Sequence, residues 1–300
     1  MPKKRITREG VVERTAYGFV VRVQNPKVDM GIPDVFCENP GEPEDKCIHR
    51  KQFTKKHIFL ASEFSAATEA IISGLDIFVL SMNGYSQISE AQCRQYGFKL
   101  GAYEESCAAT LRSVIKGLRK SFRGASIRMT SGASELGVDL AIERVAKEFN
   151  IPCLGFSCPR YMLYVNDDER PVYVANTEEE YADTYISSLD LLIATGGREQ
   201  ALKHDVAAAC IYNKRIHFID LLSALSTTGG VPATTKGPDG IIRVENAARA
   251  FGTNISFFSR EGAIRSTPAG GDLWNSIFRD ARLVAKQVCR NKMSAERMFQ

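Results

Sequence analysis

Followed as a succession of apolar and polar positions, the chain changes character twice, near residue 75 and near residue 225. Residues 1–25 hold short β-prone runs, Val11–Val12 and Gly18–Val23, and a polar, proline-containing segment follows from Asn25 to Lys56. From His57 a short apolar run leads into a helix-compatible stretch at Glu63–Ser73, and Asp76–Ser81 has the length and continuous apolarity of a buried strand. Between Tyr103 and Phe122, the residues Cys107, Leu111, Val114, Ile115, Leu118 and Phe122 recur at steps of three and four, the period of one helix face. A strand at Ser126–Thr130, a glycine-containing turn at Ser131–Gly137 and a helix at Val138–Phe149 come next; Val138, Ala141, Ile142, Val145 and Phe149 form its inward side. Strands at Ile151–Phe156, Val172–Ala175, Leu189–Ala194 and Arg215–Leu221, with helices at Glu178–Ser187 and Gln200–Ile211, continue the alternation.

Repeated βα units bury both faces of a mainly parallel sheet. The pattern therefore predicts an α/β, Rossmann-like domain over residues 75–225, with helices on both sheet faces, an N-terminal elaboration at 1–74 and a C-terminal extension at 226–300. In that extension Ser226–Pro238 is rich in Ser, Thr, Gly and Pro and reads as a flexible or ligand-covering loop, while Arg243–Phe251 and Leu273–Val288 carry helical patterns. No internal repeat is present.

Composition narrows the class without changing it. A hydrophobic fraction of 44% and a charged fraction of 25% are ordinary for a globular protein. The apolar stretches fall far short of the roughly 20 residues that cross a bilayer, so no membrane span is expected. The basic start, MPKKRITREG, is not followed by an apolar segment and cleavage site, and a cytoplasmic location with reduced cysteines is the expectation. A formal charge of +4 is too modest to imply a nucleic-acid partner.

In an open parallel sheet, ligands sit outside the carboxyl ends of the strands. Two turns occupy such positions. In Ser131-Gly-Ala-Ser-Glu-Leu-Gly137, Gly132 permits a tight turn, Gly137 a close backbone approach to a phosphate, and Ser134 lies between them. In Thr195-Gly196-Gly197-Arg198, the glycines offer backbone amides, Thr195 a hydroxyl and Arg198 a planar fork. The plain alternative is that these glycines only shape βα turns and that Arg198 is a solvated surface residue.

Glu135 and Glu199 are the acids nearest the two turns and the catalytic candidates, since cleaving an N-glycosidic bond needs a carboxylate to stabilise positive charge or activate water. Glutamates beginning a helix are also favoured by its dipole alone. Asp139 is expected to cap or orient the first turn. Lys203, His204 and Asp205 read as one polar helix face. Cys37, Cys47, His49 and His57 lack the close paired spacing of metal sites, so neither a metal nor a cofactor is expected. Arg112, Lys116, Arg119, Lys120 and Arg123 line one side of the long helix, where a solvated face is favoured over phosphate contacts. Tyr161, Tyr164 and Tyr173 are compatible either with a base-binding pocket or with packing.

These residues resemble a known family. Ser131-Gly132 followed by Gly137-Val-Asp139 is similar to the Ser-Gly to Gly-Ile-Asp turn of the DNA-processing Smf branch of the Smf/Lonely-guy (SLOG) superfamily, and Ala194-Thr195-Gly196-Gly197 falls where its phosphoribohydrolase branch carries Pro-Gly-Gly. The resemblance spans residues 76–221 and is one of pattern. It implies a Rossmann-like fold, phosphate contacts by Gly196 and Gly197, and a homodimer. Where the phosphoribohydrolases carry Gly-Thr and a catalytic glutamate, this chain has Glu199, Gln200 and Lys203, and the stretch from Thr177 to Asp183 lacks their Arg-Lys pair. The function expected is therefore binding of a nucleotide or nucleotide derivative, as a sensor or noncatalytic module with a phosphate-bearing small molecule as partner. Two alternatives stand beside it: a hydrolase or transferase acting on a nucleotide N-glycosidic bond, and a single-stranded DNA-binding protein.

Overall fold

Strands form where apolar residues run continuously for four to seven positions, and helices where they recur on one face. The computed structural model describes residues 5–7, 10–15, 18–22, 58–60, 77–122, 125–134, 136–158, 161, 165, 171–212, 214–237, 240–252, 264–267 and 286. At the N-terminus β1 (Arg5–Thr7), β2 (Gly10–Thr15) and β3 (Gly18–Arg22) form an antiparallel meander. The α/β part opens with β4 (Ile58–Leu60), β5 (Ile77–Asn83), α1 (Glu90–Tyr96), α2 (Ala102–Ser121), β6 (Ser126–Ser131) and α3 (Gly137–Glu148). It continues through β7 (Cys153–Ser157), β8 (Val172–Val174), α4 (Glu178–Ser187), β9 (Leu191–Ala194), β10 (Gly197–Arg198), α5 (Glu199–Ile211), β11 (Arg215–Ile219) and α6 (Leu221–Leu225). Last come β12 (Thr234–Lys236), β13 (Ile242–Val244), α7 (Ala247–Gly252) and β14 (Ile264–Thr267).

Eight strands make one sheet in the order β14-β11-β9-β5-β6-β7-β8-β4, and every pairing in it is parallel. Its two edge strands come from outside residues 75–225. From β5 the chain builds outward through β6, β7 and β8, then returns to lay β9 against the other side of β5. The order reverses at β5, which places the reversal between two neighbours whose following segments leave in opposite directions.

Helices cover both faces, as the pattern predicts. On one face Phe78, Leu80, Met82, Met129, Leu191 and Ile193 pack under α1, α2, α3 and α6. On the other Val79, Leu154, Phe156, Leu192, Ile216 and Phe218 pack under α4, α5 and α7. Each side chain of this size buried from water contributes about 1.5–3 kcal/mol, so the two layers, and not local helix propensity, hold the sheet.

Two sequence expectations are corrected. The segment 226–238 is not wholly loop, because Thr234–Lys236 is β12 and pairs antiparallel with β13, which in turn pairs with β10. The helical pattern at 243–251 yields to that pairing: Arg243 and Val244 are strand, and the helix starts only at Ala247, after Asn246 Oδ1 accepts the Arg249 amide proton at 2.7 Å. The stretches 63–73 and 273–288 lie outside the described residues, apart from Lys286.

Candidate functional site at the sheet reversal

Register carries the turns after β5, β6 and β9 to one level. Asn83 pairs with Ala194 on one side, and Ser81 pairs with Thr130 on the other, so Asn83-Gly84-Tyr85, Ser131–Ser134 and Thr195–Arg198 all leave the sheet together. The two glycine-containing turns predicted from sequence thus lie on neighbouring sides of β5, roughly 10 Å apart across two strand spacings.

The turns are tied to one another by buried polar groups. Thr195 is fully buried; its amide and hydroxyl both donate to the Asn83 carbonyl, at 2.9 and 3.0 Å. Tyr103, also fully buried on α2, meets Thr195 Oγ1 at 2.5 Å and accepts the Tyr85 amide proton at 2.9 Å. A β-carbon on Gly84 would overlap both hydroxyls, which is why only glycine fits there. The Thr195 hydroxyl therefore acts as a strut between turns.

Tyr85 is the keystone above them. Its carbonyl accepts the Val138 amide proton at the start of α3 (3.0 Å), and its hydroxyl lies 2.7 Å from both the Val244 carbonyl and Glu245 Oε2. Gly196 lies against its ring, where a β-carbon would come within 2.8 Å of Tyr85 Cε2 and of the Val244 oxygen. Gly137 packs against the Tyr85 and Ser86 carbonyls. Buried Glu245 also accepts from Thr235 Oγ1 (2.6 Å) and Gln92 Nε2 (3.3 Å), fixing β12, β13 and α1 to this point.

Many of the backbone donors in the two turns have protein partners. Gly132 N–H donates to Asp139 Oδ1 at 2.7 Å, so Asp139 orients the first turn as expected. Ala133 N–H donates to Ser131 Oγ, and Leu136 N–H to Ser134 Oγ, each at 3.1 Å. Ser134 is half-buried and bridges to Val165. Gly197 and Arg198 are the strand β10, opposite Val244 and Arg243, and the Arg198 side chain is exposed. Glu199 pairs with Lys203 at 3.1 Å. Glu135 lies outside the described residues, as do Tyr164, Arg123, Cys37, Cys47, His49 and His57.

On the α4 and α5 side the turns face a second group of residues. Asp205 is buried and accepts from the Asn83 side-chain amide. Burial pushes its carboxyl up to about 7, against a smaller opposing effect of that hydrogen bond. Tyr185 meets Ser81 Oγ at 2.5 Å and stacks on Tyr181, with ring centres 6.0 Å apart and planes 10° apart; Tyr161 meets Tyr181 edge-on at 5.9 Å. Both the Tyr181 and Tyr185 hydroxyls are held well above the usual phenol range, chiefly by burial, with the Asp139 and Asp205 carboxyls adding to it. Asn83, Gly132, Asp139, Tyr161 and Tyr181 are each only partly buried, which leaves them within reach of solvent at this level.

No protein-family model matches the chain, and no curated protein matches it in sequence. Among solved structures, two of the molybdenum cofactor carrier protein from Chlamydomonas reinhardtii align with it, at 14% identity with a TM-score of 0.37 and at 13% with 0.38. Each alignment covers 71% of this chain and 98% of the carrier. A likeness of that degree bears on neither ligand nor activity.

Two features of this site are absent from the sequence reading. Sequence places Asp205 with Lys203 and His204 on one polar face, yet those two are exposed and Asp205 is buried. The signal was present, since Leu202, Val206 and Ala209 mark the buried face and 205 falls among them at helical spacing. The Asn83-Gly84-Tyr85 turn carries no sequence signal, because the strand before it extends to Asn83 and no glycine cluster announces its end.

The basic helix face and the remaining tyrosine are also resolved. Arg112 pairs with Glu148 at 2.8 Å, and Arg119 donates to the Phe149 carbonyl at 2.7 Å while lying over its ring. Both residues fasten α2 to α3. Tyr173 is fully buried against Phe156 and donates to Glu180 at 3.2 Å, a packing role.

Proposed function

We propose that this protein binds a nucleotide or nucleotide derivative, without cleaving it, in the crevice where the turns after β5, β6 and β9 meet on the α4 and α5 side. The observation that carries this reading is the reversal of strand order at β5, the position where open parallel sheets receive ligands. The partly buried set of Asn83, Gly132, Asp139 and Tyr181 adds hydrogen-bonding groups and an aromatic ring at that position. The Glu199–Lys203 pair favours binding over catalysis, since it ties up the described acid nearest the second turn. The fixing of Arg112 and Arg119 to α3 likewise disfavours a nucleic-acid strip along α2.

A ligand that binds only the native state raises its melting temperature, by an amount equivalent to about 2.7 kcal/mol at a hundredfold excess over Kd. A thermal-shift panel of adenine, guanine and pyrimidine nucleotides and dinucleotides should contain at least one compound that raises Tm in the wild type and less in Tyr181→Ala. A panel without any shift, or a shift unchanged in that variant, would count against the crevice. Liberation of a free base from the bound compound would replace the noncatalytic reading with the hydrolase one.

A further inference from the structure

We propose that residues 233–246 form a hairpin lid that closes over the second glycine turn and lifts away as one unit, with the buried Glu245 side chain as its latch. Access to the backbone of Gly196 and Gly197 is thereby gated by the chain itself. This goes beyond the nucleotide reading and stands or falls apart from it.

The hairpin holds itself together. Its strands β12 and β13 pair antiparallel from Thr234 opposite Val244 to Lys236 opposite Ile242. At its neck the Ala233 carbonyl accepts the amide protons of Glu245 and Asn246, at 3.0 and 3.2 Å, and Thr235 Oγ1 donates to Glu245 Oε1 at 2.6 Å. Its described side-chain bonds to α1 and to the turn after β5 gather at one place. The Tyr85 hydroxyl reaches the Val244 carbonyl and Glu245 Oε2, each at 2.7 Å, and Gln92 Nε2 donates to Glu245 Oε1 at 3.3 Å. Glu245 is thus a buried carboxyl group whose described side-chain partners are all neutral. Opening returns it to water, which offsets part of the loss of those bonds.

Apolar anchoring of the hairpin is slight. Among the described residues of 234–244 only Val244 is buried, while Thr234, Lys236 and Ile242 are exposed. A segment with so few buried apolar side chains opens locally before the domain unfolds. Upstream, Gly229 and Gly230 both lie at positive φ with open space around them, a bend that glycine adopts without strain and that serves as a hinge. What the hairpin covers is the turn after β9: Gly197 and Arg198 pair with Val244 and Arg243, and a β-carbon on Gly196 would come within 2.8 Å of the Val244 oxygen. Lifting β13 therefore uncovers Gly196 and Gly197 together, and leaves β9 within the parallel sheet between β5 and β11.

The test is amide hydrogen exchange on the full-length chain with no ligand added, in wild type and in Glu245→Ala. In the wild type, peptides covering 196–199 and 233–246 should share one protection factor, lower than that of β9. Glu245→Ala should speed exchange in both by the same factor, roughly tenfold or more, and leave β9 and β11 unchanged. Should that variant fail to fold, Gln92→Ala removes a single bond to the latch and should give a smaller shared acceleration of about a few fold. A wild type in which 196–199 exchanges as slowly as β9 while 233–246 exchanges faster overturns the lid. So does a variant that frees the hairpin without the turn, or one that speeds β9 and β11 equally. None of these results bears on the nucleotide reading, which the thermal-shift panel tests separately.

Discussion

Asp205 is a buried carboxyl group on α5 that accepts a hydrogen bond from the Asn83 side chain at the end of β5. Its pKa rises from 3.8 to about 7 mainly through burial. Between those values the folded chain holds a proton that the unfolded chain releases, so this group favours folding below pH 4 and the benefit is lost as pH rises through 7. Asp205→Asn should therefore be more stable than wild type at pH 8, by up to about 4 kcal/mol, and lose that advantage towards pH 4. Urea titrations across this range measure it; parallel pH profiles for the two proteins would show that the carboxyl is not desolvated. Tyr103 poses a different residue-scale question. In Tyr103→Phe the Tyr85 amide loses its acceptor and Thr195 a partner, and a loss of about 1–3 kcal/mol is expected in the same measurement. At this scale the sequence was informative where a side chain serves its own turn, as Asp139 does for Gly132, and silent where a residue reaches a distant strand, as Asp205 does for Asn83.

Among the elements, long periodic helices and apolar strands were legible to within a residue or two: α4 spans Glu178–Ser187 as predicted, and α2 and α3 are displaced by one residue at each end. Short elements were not. The helix α1 is announced only by its capping box, in which Ser89 and Gln92 exchange hydrogen bonds. The strands β12 and β13 exist because they pair with each other and with β10, a tertiary fact that local composition does not carry. Glu245 fastens that small sheet through Tyr85, Thr235 and Gln92. Glu245→Ala leaves Thr235 Oγ1 and Gln92 Nε2 without this acceptor and Tyr85 with the Val244 carbonyl alone, and should cost about 1–3 kcal/mol, with faster proteolysis within 226–246; unchanged protection there would remove Glu245 as the fastening point. The same packing bears on how the second turn is tested. Gly196→Val would collide with Tyr85 and the Val244 carbonyl whether or not a ligand binds, so loss of affinity in that variant would not locate the site. Tyr181→Ala avoids the collision.

For the whole molecule, the alternation of strands and helices was sufficient to foresee a parallel sheet with both faces covered. It did not reveal that β4 and β14 complete the sheet from either end of the chain, because each is short and pairs only with an edge. Nor did glycine spacing reveal how the turns are occupied: Gly137 and Gly196 approach Tyr85 and its neighbours closely. The location of the proposed site is a property of the assembled sheet, set by the reversal at β5. Amide hydrogen exchange on the full chain, with and without the tightest compound of the nucleotide panel, tests this most directly. Protection confined to 83–86, 131–139, 178–185 and 195–205 is the expected result; protection confined to other segments, such as α2 or the β1–β3 meander, would contradict a ligand at the reversal.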